Sequence, residues 1–165
     1  MTDLEERVAA LERAFHALSG PAVRPPADKE EEPDFWVLDE LRRRHPAGAV
    51  VFAGTAAVGK GEVAWQWGAP SEDLREAEWT AAAGVLDALA HPVRLRLLQR
   101  VLNGTTSTAD LSLDDSLGTT GQLHHHLRAL VAGGWLASVG RGRWSIPPHR
   151  VVPLLVVVSA ATGPR

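Results

Sequence analysis

The sequence predicts a mainly helical α+β protein that carries a little β structure, and three observations predict it. Apolar residues recur every three or four positions around 4–18, 34–44, 79–102 and 119–133, which is the period of an amphipathic helix. Two pairs of short β-rich runs, 49–53 with 62–67 and 135–139 with 143–146, are joined by glycine-containing segments, as hairpins are. Glycine and proline fall between these tracts and punctuate them.

With 165 residues the chain is long enough for one good core or two small ones. It has 45% apolar and 22% charged residues, six Trp, no Tyr and no Cys. The lack of cysteine excludes disulfides, thiolate metal sites and cysteine nucleophiles, and suits a cytoplasmic protein. The opening MTDLEERVAALER is a charged amphipathic pattern without a signal-peptide core. Val151 to Val158, the longest apolar run, is too short to span a bilayer, so no membrane segment is expected. The net charge of −3 hides an asymmetry. Residues 1–78 hold 9 Lys and Arg against 16 Asp and Glu, whereas residues 79–165 hold 8 against 4 and five of the seven His. Local field governs contact with phosphate, so the second half is the one suited to nucleic acid.

Four regions follow from this reading. Residues 1–19 form an amphipathic, coiled-coil-like helix whose seam is Leu4, Val8, Leu11, Phe15 and Leu18. So short a seam must pack on a dimer mate or on its own body, and a homodimer contact is expected. Residues 20–33, rich in proline and then acidic, are a linker. Residues 34–78 form a small module: a helix over 34–44 with Asp34 as candidate N-cap and three closing arginines, strands over 49–53 and 62–67, and a helical tract over 72–79. Gly54 to Gly61 (GTAAVGKG) matches the first seven positions of a phosphate-binding loop. The eighth is Gly61 where a magnesium-holding Ser or Thr is needed, and a strand pattern follows where a helix is needed, so it reads as a hairpin loop.

Residues 79–165 are more specific. Helices are expected over 79–90 and 92–102, broken at His91-Pro92, with Leu95, Leu98, Val101 and Leu102 facing the core. Ser107 caps a short helix over 108–113, and a polar turn follows over 114–118. A longer helix then starts at Thr119 or Thr120. Leu123, Leu127, Leu130 and Val131 make its apolar stripe, while Gly121, Gln122, His125, Arg128 and Ala129 lie opposite. Small and polar residues on that face suit a DNA major groove. The strands 135–139 and 143–146 flank Gly140-Arg141-Gly142, a β-wing whose Arg141 and Arg143 can reach phosphate or minor groove. The order is that of a winged helix-turn-helix domain. Val151 to Ala161 is apolar around most of its circumference and must be buried. Dimer contact is expected there, through Leu154, Leu155 and Val158, with a packed core helix as the alternative. Pro153 leaves two options for that helix: a kink there, or a start near Val152.

The stretches LDALAHPVRLRLLQRVL, TADL, TTGQLHHHLRALVAGGWL and GRGRW, within about 79–158, resemble the arsenic-repressor-type (ArsR-like) winged helix regulators. The resemblance implies a homodimeric transcriptional regulator, by default a repressor. It implies DNA contacts by His124 and His125 alongside Thr119, Thr120, Gly121, Gln122, Arg128, Arg141 and Arg143, and a His126 that packs beneath its helix. Metal-sensing members carry cysteines on the helix matching Thr108 to Leu113, or paired His and acidic residues on the C-terminal helix, and this chain has neither there. Consecutive His124, His125 and His126 point about 100° apart on a helix and cannot converge on one ion. No metal and no cofactor are expected. No acid/base pair or nucleophile arrangement points to an enzyme. Two alternatives stay open. Trp36, Trp65, Trp67 and Trp79 could stack on a planar small-molecule effector or simply fill a core, and the domain could be a protein-interaction module without DNA binding.

Overall fold

The computed structural model describes residues 35–163. They are mixed α+β, with seven α-helices and two separate two-stranded antiparallel sheets. From Val37 onward the chain forms one compact unit. Leu4, Val8, Leu11, Phe15, Leu18, the 20–33 linker and Asp34 lie outside the described residues.

Helix α1 (Trp36–Arg44) is bound along its own surface by ion pairs from Glu40 to Arg43 (2.7 Å) and Arg44 (2.5 Å). These hold the exposed Glu40 carboxyl at about 2, and exposed pairs of this kind contribute little stability. Strands β1 (Ala49–Val58) and β2 (Gly61–Pro70) pair in continuous register from Ala49↔Pro70 to Val58↔Gly61. Both are longer than the sequence pattern suggested, because the low-propensity stretch Gly54–Val58 is recruited into β1. The phosphate-loop look-alike is therefore a strand end followed by a two-residue Gly59-Lys60 loop.

Helix α2 (Ser71–Glu76) follows at once. The single helix expected over 79–90 is instead a 3-10 turn (Trp79–Ala82) leading into α3 (Ala83–Asp87), with Glu78 capping the turn by accepting from the Thr80 N–H. Helix α4 (Pro92–Leu102) opens with proline in its first turn and His91 as N-cap, a position at which the missing proline N–H costs nothing. On α4 the buried positions are Leu97, Leu98 and Val101, and Leu95 is exposed, which corrects the expectation for Leu95. Helix α5 (Thr108–Leu111) is capped by Ser107 as expected, but Leu113 lies beyond its end and is exposed. A second 3-10 turn (Asp115–Leu117) buries Leu117.

Helix α6 (Thr120–Ala132) buries Leu123, Leu127 and Leu130 and packs on α4. Val131 is exposed, so the stripe is narrower than the spacing implied. The helix ends in a Schellman-type arrangement: Gly134, at φ +70°, donates to Val131, and Trp135 donates to Leu130. Only glycine adopts that backbone without strain. Trp135 and Leu136 then go into the core and leave β3 (Ala137–Gly140) to pair with β4 (Arg143–Ser145). Helix α7 (Pro148–Thr162) starts three residues before Val151 and carries Pro153 in its interior, so the start near Val152 is not the observed one and the helix runs through the proline.

One leucine-rich core joins α4 to α7, and Ala56, Val58 and Val63 of the first hairpin pack against it. The hairpin reaches that core across α7. A Cβ on Gly54 would stand 3.2 Å from Val152 Cγ1, so glycine permits the close approach. The segments 34–78 and 79–165, read as separate in the sequence, thus share one body from Val37 onward.

Candidate nucleic-acid interface

Buried leucines fix the rotation of α6, and with it the residues that face outward. Thr119, Thr120, Gly121, Gln122, His124, His125 and Arg128 are all exposed. Nothing lies within 4 Å of a Cβ built on Gly121, so the start of the helix is open to a close neighbour. A capping box secures that start. Thr119 Oγ1 accepts from the Gln122 N–H at 3.4 Å, and the Gln122 side-chain oxygen accepts from the Thr119 N–H at 2.8 Å. This reciprocal pair satisfies two amides that the helix itself cannot. It also occupies the acceptor of Gln122 and leaves its Nε2 to donate outward.

Arg141 and Arg143 sit at the second hairpin, both exposed. Arg141 has φ +44° between Gly140 at +96° and Gly142 at +69°, a run of left-handed backbone that projects the side chain from the tip at some conformational cost. The second strand of this hairpin, from the tip glycine Gly142 to Trp144, is stitched to α5 and the residues before it. Gly142 O accepts from the Thr108 N–H (2.8 Å) and from its hydroxyl (3.0 Å), Trp144 Nε1 donates to Thr108 Oγ1 (2.8 Å), and the Trp144 N–H donates to Thr106 O (2.8 Å). A Ser107↔Arg143 bridge extends the ladder. Thr108 was not singled out by sequence reasoning. A threonine just after a capping serine is common, and the partner it meets is more than thirty positions away.

Behind the outward face, His126 is partly buried and meets His91 in a tilted contact, with ring centroids 4.5 Å apart. Burial, together with the charges of His91, His125 and Arg94, holds its pKa below the ordinary imidazole value. Arg150 lies over the Trp135 ring at 5.0 Å, and Trp135 Nε1 donates to Val85 O at 2.8 Å. Trp135 and Trp144 therefore serve the framework.

The remaining tryptophans do other things. Trp36 and Trp79 are 65% and 73% exposed. Trp79 Nε1 donates to Leu74 O at 2.7 Å. Trp67 stacks on Phe52 at 5.6 Å, and Trp65, two register pairs along and so on the same face, leans on His149 at 6.2 Å. Trp65 borders a shallow depression with Gly54 and Gln66.

Of the residues expected at a dimer contact, Leu154 is buried within its own core, while Leu155 and Val158 are each 40% exposed. Both line an apolar groove of about 510 Å³ between α4 and α7, to which Leu95 and Leu102 contribute from the other wall. Among the described residues no group of three or more His, Cys, Asp or Glu could hold a metal ion, and no helix is long and apolar enough to cross a membrane. Comparison with protein-family models, with curated proteins and with solved structures returned no match.

Proposed function

We propose that this chain is a homodimeric, sequence-specific DNA-binding transcriptional regulator of the winged helix-turn-helix type, built on ArsR-like lines. One observation carries the reading: a helix held by three buried leucines turns Gly121, Gln122, His124, His125 and Arg128 outward, in the same unit as a hairpin tip bearing Arg141 and Arg143. Gln122 also serves the capping box, but the hydrogen bonds of the fold do not account for the exposed Arg128, Arg141 and Arg143 beside it. In this reading α6 lies in the major groove, where Arg128 and the free Nε2 of Gln122 read base edges, and Thr119 and Thr120 approach phosphate at its start. Arg141 and Arg143 contact backbone or minor groove, and the Thr108 stitch holds the wing at a fixed offset from α6. Two copies related by a two-fold axis match two half-sites. Trp67 and Trp65 share one face of β2, but they already meet Phe52 and His149, and Trp79 is tied to Leu74 O, so no specific contact favours the effector-gated alternative.

The test is selection of bound sequences from random duplex DNA with the purified chain. Enrichment of an inverted repeat is the expected result. A folded protein that enriches nothing at low salt would overturn the reading.

A further inference from the structure

His91 and His126 meet where α6 rests on the start of α4. Their ring centroids are 4.5 Å apart and their planes are inclined by 40°. His91 is the N-cap of α4, and its Nδ1 accepts from the Val93 N–H at 3.1 Å. An acceptor nitrogen must be unprotonated, so a proton taken up there would open the cap. The Nδ1 of His126 is buried without a hydrogen-bond partner. Protonation would make it a buried donor with nothing to receive it, which is costly.

The charges around this contact favour neutrality. On its own helix His126 meets His125 edge-on at 5.6 Å. From α4 comes Arg94, whose side chain is only 12% exposed and donates to Asp87 O at 2.7 Å. The Asp87 carboxylate, at the end of α3, is 4.0 Å from Arg94 and points largely to solvent, so it answers Arg94 and not the rings. We propose that the His91–His126 contact is a proton-sensitive clasp, which holds α6 against the start of α4 while both rings are neutral and loosens it in mildly acidic solution. The clasp rests on packing alone and stands whether or not α6 reads DNA.

The sign follows from linkage. His126 is harder to protonate in the fold than in the unfolded chain, because of burial first and then His91, His125 and Arg94. The unfolded state therefore takes up the proton first. The stabilisation is complete above the ordinary imidazole value and is lost as pH falls below it.

The test combines proton NMR titration of the imidazole Cε1–H signals of the wild-type chain with thermal melts between about pH 7.5 and pH 5.5. In the wild type His126 should titrate below about 6.5, and the melting temperature should drop by about 3 °C or more over that interval. H91S keeps a capping oxygen and H126F keeps an aromatic ring. The double variant, folded by circular dichroism at the higher pH, should lose at least about half of that drop. Retention of the full drop by the folded double variant would overturn the clasp. So would a wild-type His126 titrating at or above the ordinary value, and that measurement decides the matter if the double variant does not fold.

Discussion

The side-chain oxygen of Gln122 accepts hydrogen bonds from both the backbone N–H of Thr119, at 2.8 Å, and the Thr119 hydroxyl, at 3.1 Å. A glutamine that reads adenine must offer an acceptor and a donor together. Here the acceptor is already committed to the helix start, so Gln122 has a structural task and, in the proposed function, a recognition task limited to its Nε2.

Gln122→Glu separates the two tasks. Glutamate at this position still accepts from Thr119 and adds favourable charge in the first turn. Stability at neutral pH should hold within about 0.5 kcal/mol by denaturant unfolding. DNA affinity should fall by about tenfold or more, because the donor is lost and a carboxylate faces phosphate. Thr119→Ala should do the converse to stability and cost about 1 kcal/mol. A loss from Gln122→Glu as large as that from Thr119→Ala would remove the capping role.

The wing arginines give a second expectation. Arg141 is held at φ +44°, so Arg141→Gly relaxes the turn while removing the charge. Combined with Arg143→Ala it should leave the melting temperature nearly unchanged. It should weaken binding to specific and random duplexes alike and flatten the log–log salt slope by about two units. Fluorescence anisotropy across a salt series measures this, and an unchanged slope would take both arginines out of the interface.

Much of this arrangement was legible in the sequence, and the failures have physical causes. The starts of α4, α5 and α6 were readable because N-capping is local: His91-Pro92, Ser107 and Thr119 act within three residues of themselves. Periodicity placed Gly121, Gln122, His125 and Arg128 outward on α6, as observed, whereas Ala129 is only partly exposed and His124 came from the resemblance. Leu95 and Val131 were misplaced because a period of 3.6 fixes the centre of an apolar face and not its width, which depends on how closely the neighbouring elements approach. The reach of β1 through Gly54–Val58 was hidden since its cause is tertiary: α7 covers that face, and Val152 leaves room for little more than glycine. The Thr108 stitch was hidden for the same reason.

Gly133 supplies a third expectation. A Cβ there would stand 2.5 Å from the Ala88 Cβ, at the point where the end of α6 crosses the end of α3. Its φ of −77° suits any residue, so the constraint is space and not backbone conformation. Gly133→Ala should destabilise by about 1–3 kcal/mol. Ala88→Gly in the same chain removes the opposing methyl and should recover most of the loss, which a double-mutant cycle measures as coupling. Additive losses would mean that the two backbones separate freely.

Helix α7 gives the last expectation, since it divides its apolar residues between two tasks. Leu154 is 4% exposed within the protomer core, whereas Leu155 and Val158, each 40% exposed, line the groove against α4. Leu154→Ala should therefore cost about 2–5 kcal/mol of stability. Leu155→Glu with Val158→Glu should leave the protomer folded. If a second copy covers the groove in the proposed homodimer, the charged pair should convert dimer to monomer in sedimentation equilibrium. It should also lower affinity for a full inverted repeat far more than affinity for a half-site, because each protomer keeps its own reading face while the linkage between the two is lost. A charged variant that sediments as the wild type does would place the dimer contact elsewhere and return the groove to the protomer alone.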